Sequence, residues 1–111
     1  MYGVKPNVVK ANGVKVNVLR GKVVNGNSDL RVQAGTTGFR ADPDQAADVR
    51  GLVDICFVRG DFQFLPVEDE DTNIVGIRII CNGNDELMSL MEALAFAARA
   101  TVNQCLVCSD C

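Results

Sequence analysis

The sequence predicts an α+β domain: an antiparallel sheet of about five to six strands covered by one long C-terminal helix. Three observations predict it. Val-rich segments with strict alternation fill the first quarter of the chain. Apolar segments bounded by Gly, Asp and Asn turns fill the middle. From Asn84 to Ala100 the chain is dominated by Ala, Leu, Met and Glu, strong helix formers, with no Gly or Pro. At 111 residues and 48% hydrophobic, the chain suits a single domain spanning 1–111 with a core of its own.

The first element is a hairpin. Gly3-Val4-Lys5-Pro6-Asn7-Val8 and Gly13-Val14-Lys15-Val16-Asn17-Val18 nearly repeat each other, with Asn12-Gly13 between them, a strong two-residue turn signal. Pro6 cannot donate to a ladder, so the first copy belongs on an edge or in an arm. The alternation Val14, Val16, Val18 then slips to Leu19, Gly21, Val23, which predicts a bulge or bend near Leu19–Gly21. After a turn at 25–29, Leu30, Val32 and Ala34 form a short third strand. Leu52 to Val58 is apolar on both faces apart from Asp54, which reads as a central strand. Phe62–Val67 follows the Arg59-Gly60-Asp61 turn, and Glu68–Asp71 reads as a solvated acidic turn. In Asn73–Cys81, Val75, Ile77, Ile79 and Cys81 share one face, which the following helix is expected to cover.

In that helix Asn84 is a suitable N-cap, and Asp85 and Glu86 place negative charge in the first turn. Leu87, Leu90, Met91, Leu94, Ala95 and Ala98 form one broad apolar face. Glu86, Ser89, Glu92 and Arg99 fall largely off it.

Charge is unevenly distributed. Residues 1–40 hold seven Lys/Arg and one acid, and residues 41–111 hold four Arg and thirteen acids, so +6 and −9 sum to the net −3. The two surfaces can attract each other within the fold, present a basic face to an anionic ligand, or join copies head to tail. The acidic total counts against a nucleic-acid partner. The chain has no histidine and no tryptophan. That removes His-based acid–base and nucleophile pairs and the common catalytic zinc sets, and no catalytic residues can be named; the expectation is a protein that is not an enzyme and has no cofactor. No apolar run approaches a bilayer span and no secretory leader is visible, so the expected setting is cytoplasmic, without membrane contact.

Two segments are candidate sites. Gly35-Thr36-Thr37-Gly38, followed by Phe39 and Arg40, has the composition of an anion-binding backbone nest, with Arg20, Arg31 and Arg40 as candidate phosphate partners. It lacks the Walker lysine spacing, and the plainer reading is a turn between strands. Asp42-Pro43-Asp44 through Asp48 reads as a loop with one helical turn, its acids solvated rather than spaced for calcium. Cys105, Cys108 and Cys111 form C-x-x-C-x-x-C, part of an iron–sulfur ligand run that needs a fourth ligand from Cys56 or Cys81; packing of small thiols is the plainer reading.

Gly35-Thr36-Thr37-Gly38-Phe39, with Asn84-Asp85-Glu86-Leu87 and Glu92-Ala93-Leu94-Ala95-Phe96-Ala97, resembles a small uncharacterised bacterial and phage domain over the last two-thirds of the chain. Members of that family carry Gly-Gly-Asp and a histidine-containing segment after the aromatic, where this chain has Arg40-Ala41-Asp42 and no histidine. The resemblance implies the same fold and no established activity.

Three functions are then expected in order: non-catalytic binding of an anionic small molecule, such as a nucleotide signal sequestered by a phage or mobile-element protein; a homo-oligomeric interaction module; and metal binding through the tail cysteines.

Overall fold

The computed structural model describes residues 2–38 and 48–107, with backbone only at 106 and 107. Six antiparallel strands and one helix follow in the order β1 (Tyr2–Ala11), β2 (Val14–Asn25), β3 (Ser28–Thr36), β4 (Gly51–Arg59), β5 (Phe62–Glu68), β6 (Ile74–Cys81) and α1 (Asn84–Val107). The α+β class and the C-terminal helix are as the sequence predicts. The strands divide into a four-stranded sheet, β1-β2-β3-β4, and a separate β5-β6 hairpin.

Two tight turns set the main sheet. Asn12 and Gly13 both take positive φ, 49° and 82°, as a type I′-like turn requires, and Ala11 pairs with Val14. Gly26, at φ 54°, helps close the second turn and Asn25 pairs with Ser28. With β2 thus positioned, Leu19, Gly21 and Val23 face the helix while Arg20 and Lys22 face away. The burial phase does change in the expected place: Val16 and Val18 are buried, then Gly21 and Val23. The β2–β3 ladder nevertheless runs without a shift. The irregularity lies in the partner strand, between Tyr2 and Lys5, where Gly3 at φ 65° supplies the extra residue opposite Arg20–Lys22.

The core sits between this sheet and α1: Val23, Leu30, Val32 and Ala34 against Ala93, Phe96, Ala97 and Ala100, flanked by Leu19, Ile55, Phe57, Phe62 and Leu90. This corrects the helix face expected from sequence. Ser89, Ala93, Phe96 and Ala97 point inward, whereas Leu87, Met91 and Leu94 are half exposed or more. The strands already fill the interface with Leu, Val, Ile and Phe, so the helix meets them with its small side chains. Polar needs at the β2–β3 turn fix the rotation. Asn25 Nδ2 donates to Ser89 Oγ at 3.0 Å, Ser89 and Ser28 share a hydrogen bond, and Ser28 Oγ donates to the Asp85 carbonyl at 3.1 Å. Ser28 and Ser89 are fully buried, so this network replaces the water they lost. Asp85 and Glu86 also act as tethers, accepting from the amides of Asn27 and Asp61, both at 3.3 Å.

Two further expectations are corrected. β4 pairs with β3 alone and is an edge strand; its Val53 and Val58 are exposed. After Gly60 the chain turns away from the sheet, and Phe57, ringed by Phe62 and Phe64 at 4.8 Å each, carries aromatic contact across. The helix does not cover β6 either, where Val75 and Ile77 stay exposed; it lies on β3 and β2.

At its far end α1 splices into the sheet. The β2–β3 pairing stops at Val18↔Gly35, and the next pair would be Asn17 and Thr36. The Gln104 side chain lies between them instead, its Oε1 accepting from Thr36 N–H at 2.6 Å and its Nε2 donating to the Asn17 carbonyl at 3.0 Å. A side-chain amide thus continues the ladder where the strands part. A Cβ on Gly35 would overlap the Asn17 carbonyl, so only glycine fits this close approach.

Candidate ligand-binding groove

On the sheet face away from α1, the part around Arg20 and Lys22 is polar, and register determines its content. Lys5 lies opposite Arg20 across β1–β2, and Lys22 lies opposite Arg31 across β2–β3. Two transverse rows result: Lys5, Arg20, Gln33, Asp54 and, beside it, Tyr2, Lys22, Arg31, Cys56. Like charges set directly opposite each other in a sheet are destabilising. Here two such pairs adjoin on one face.

The bulge at Gly3 curls β1 around this face, and a groove of about 380 Å³ results, lined by four cations (Lys5, Arg20, Lys22, Arg31) and one carboxylate (Asp54). That volume lies at the lower end for small-molecule sites. Asp54 accepts from Gln33 Nε2 at 2.7 Å, which satisfies it at an exposed position. Asp29 grips Arg31 from the side: Nε donates to Oδ1 and Nη2 to Oδ2, both at 3.0 Å. This two-point contact holds the Asp29 carboxyl below its ordinary range and raises the Arg31 guanidinium above its own. It also leaves Nη1 of Arg31 for a ligand and fixes the side chain in place. Among the described residues, no ion pair engages Lys5, Arg20 or Lys22.

Of the residues singled out in the sequence, Arg20 and Arg31 meet here. The Gly35–Gly38 segment does not join them. It lies at the end of β3, roughly 15 Å along the strand from Arg31. Its groups face inward: Thr36 N–H goes to Gln104, Thr37 N–H to the Arg50 carbonyl at 3.0 Å and Gly38 N–H to Thr36 Oγ1 at 2.8 Å. Thr37 Oγ1 donates to the Val49 carbonyl at 2.8 Å, Thr36 Oγ1 donates to the Arg50 carbonyl, and Arg50 Nη1 returns a bond to the Gly38 carbonyl at 3.1 Å. These bonds tie β3 to the start of β4, the work of a structural turn. Arg40 and the 42–47 segment lie outside the described residues.

Lys5 and Lys22 are groove residues that the sequence reading passed over. Their signal was available: each two-residue turn fixes its hairpin register, and counting outward from it places Lys5 on Arg20 and Lys22 on Arg31.

The cysteines do not converge among the described residues. Cys56 is exposed, Cys81 and Cys105 are part-buried, all three are free, and no cluster of metal-binding side chains is found there; Cys108 and Cys111 lie outside the described residues. No described helix is long and apolar enough to cross a membrane.

No family model matches the chain, and no curated protein or solved structure is found to be similar to it.

Proposed function

We propose that the chain binds a multiply charged anionic small molecule, of the phosphate-bearing class to which nucleotides belong, on the open face of its four-stranded sheet. The observation that carries this reading is the two adjoining like-charge cross-strand pairs, Lys5 opposite Arg20 and Lys22 opposite Arg31, lining one groove. The fold bears their mutual repulsion, and a polyanion bound across the two rows would relieve it. Arg31, braced by Asp29, supplies a guanidinium in fixed orientation, and Lys5, Arg20 and Lys22 supply mobile charge. In this reading the ligand is held rather than converted. Such holding is what sequestration of a nucleotide signal, by a phage or mobile-element protein among others, would require.

A thermal-shift panel of nucleotides, cyclic nucleotides, pyrophosphate and phosphate tests the reading. A ligand at about 100 times its Kd should stabilise by about 2.7 kcal/mol and raise the melting temperature by about 10 °C. Arg20→Ala and Lys22→Ala should each weaken that ligand roughly 10- to 100-fold, the loss of one charge-assisted contact. Absence of stabilisation by every member of the panel refutes the proposal.

A further inference from the structure

Among the described residues, exposed apolar side chains gather on α1, on the sheet side opposite the groove, and on the β5–β6 hairpin. Phe64 and Ile77 on the β5–β6 hairpin and Leu87, Met91, Leu94 and Val102 on α1 are each between 46% and 66% exposed. Phe57 links the two parts: it belongs to the sheet face that α1 covers and holds Phe62 and Phe64 against its ring. Phe62, Phe64, Pro66, Ile77 and Ile79 share one hairpin face by register, so that face adjoins the helix. At about 100 Å² apiece the six exposed side chains present roughly 600 Å² of apolar area, and Ala95, Ala98 and Ile79 add to it. That reaches the size of the largest patch on an ordinary monomer and approaches the roughly 800 Å² that each partner contributes to a stable protein interface.

We infer that a second copy of this chain covers this surface in a closed two-fold dimer. Three observations select that occupant. Leu87, Met91, Leu94 and Ala98 recur at 4-3-4 spacing along one side of α1, the spacing of a seam between two helices. A seam of this kind is complementary to itself, as a two-fold interface requires, and a second copy brings the same helix to it. The hairpin buries almost nothing of its own and two strands alone are marginally stable in water, so a partner has to complete it. The charges agree. The tip of the hairpin carries Glu68, Asp69, Glu70 and Asp71, while Lys10 and Lys15, paired across β1 and β2, share by register the sheet face that α1 covers. Among the described residues no ion pair joins these two sets within the chain. Asp69 holds the tip in shape by accepting from the amides of Asp71 and Asn73, both at 2.9 Å, so the acidic turn is a formed surface that a second copy can meet.

Sedimentation velocity and multi-angle light scattering on the full chain, from micromolar concentrations upward, decide the matter. The expected mass is twice the 11.9 kDa of one chain. Met91→Glu and Ile77→Asp, both at exposed positions, should each raise the dimer dissociation constant roughly 30-fold or more, the loss expected at the centre of an interface, and leave the far-ultraviolet circular dichroism unchanged. A wild-type chain that stays at single-chain mass overturns the inference, as does a Met91→Glu and Ile77→Asp double variant that still dimerises like wild type. Mass that grows without limit shows open head-to-tail contact and also overturns it. So does a monomer that co-sediments with lipid vesicles, which would make a lipid surface the occupant.

Discussion

Replacing Gln104 by alanine should unfasten the end of α1 from the sheet. The glutamine amide closes two backbone groups at the fork between β2 and β3: Thr36 N–H, at 2.6 Å from Oε1, and the Asn17 carbonyl, at 3.0 Å from Nε2. Neither has a partner in the β2–β3 ladder, where pairing ends at Val18↔Gly35. A net hydrogen bond is worth about 1 kcal/mol, and leaving a shielded donor unpaired costs about 1–3 kcal/mol. Thr36 is half-buried and Asn17 exposed, so water can take over the carbonyl more readily than the amide. The total loss is then about 2 kcal/mol, or roughly 6–8 °C in melting temperature for a chain of this size. Gln104→Glu, which keeps the acceptor and loses the donor, should cost about half as much at neutral pH. Thermal and urea unfolding measure the loss, and amide exchange at Thr36 localises it. If Gln104→Ala melts within about 1 °C of wild type and the Thr36 amide stays protected, the ladder-continuing role is wrong.

Two other outcomes are expected. Phe96→Ala should destabilise by about 3–5 kcal/mol, because Phe96 is buried among the strands, whereas Leu94→Ala should cost the monomer under about 1 kcal/mol; urea titration at low concentration separates the two, and equal losses would restore the helix face expected from periodicity. Acid should reveal Asp29. Its folded pKa lies below the ordinary 3.8, first because it accepts the Arg31 hydrogen bonds and then because Arg31, Arg59 and Lys22 are near, so its contribution is complete above that value and is lost as pH falls through the folded pKa. Asp29→Asn should flatten the stability profile in that acid window, with no loss confined to the alkaline side.

Much of the fold can be read from local chemistry. Asn12, Gly13 and Gly26 accept positive φ, and the turns Asn12-Gly13 and Gly26-Asn27 set two registers by counting. The helix start follows from Asn84-Asp85-Glu86, and the hairpin ends from Asp61 and Asp69–Asn73. The candidate groove was half legible. Arg20 and Arg31 stand out as charges on alternating strands, but Gly35–Gly38 looks like a nest only while its neighbours are unknown. Once the chain is folded, the Thr36 amide is committed to Gln104, the Thr37 amide to the Arg50 carbonyl and the Gly38 amide to Thr36 Oγ1.

Neighbouring residues alone set the local elements: which segments extend, where they turn, which residues share a strand face, and that the last quarter coils. Those properties depend on residues a few positions apart. The tertiary structure alone decided which side of α1 goes inward, that β5–β6 leaves the main sheet, and that four cations meet in one curved groove. The helix is apolar around much of its circumference, so periodicity offers a wide arc without saying which part docks. Contacts from 58 to 87 residues away, through Asn27, Ser28, Asn17 and Thr36, settle its rotation and place the smallest side chains where backbone comes closest.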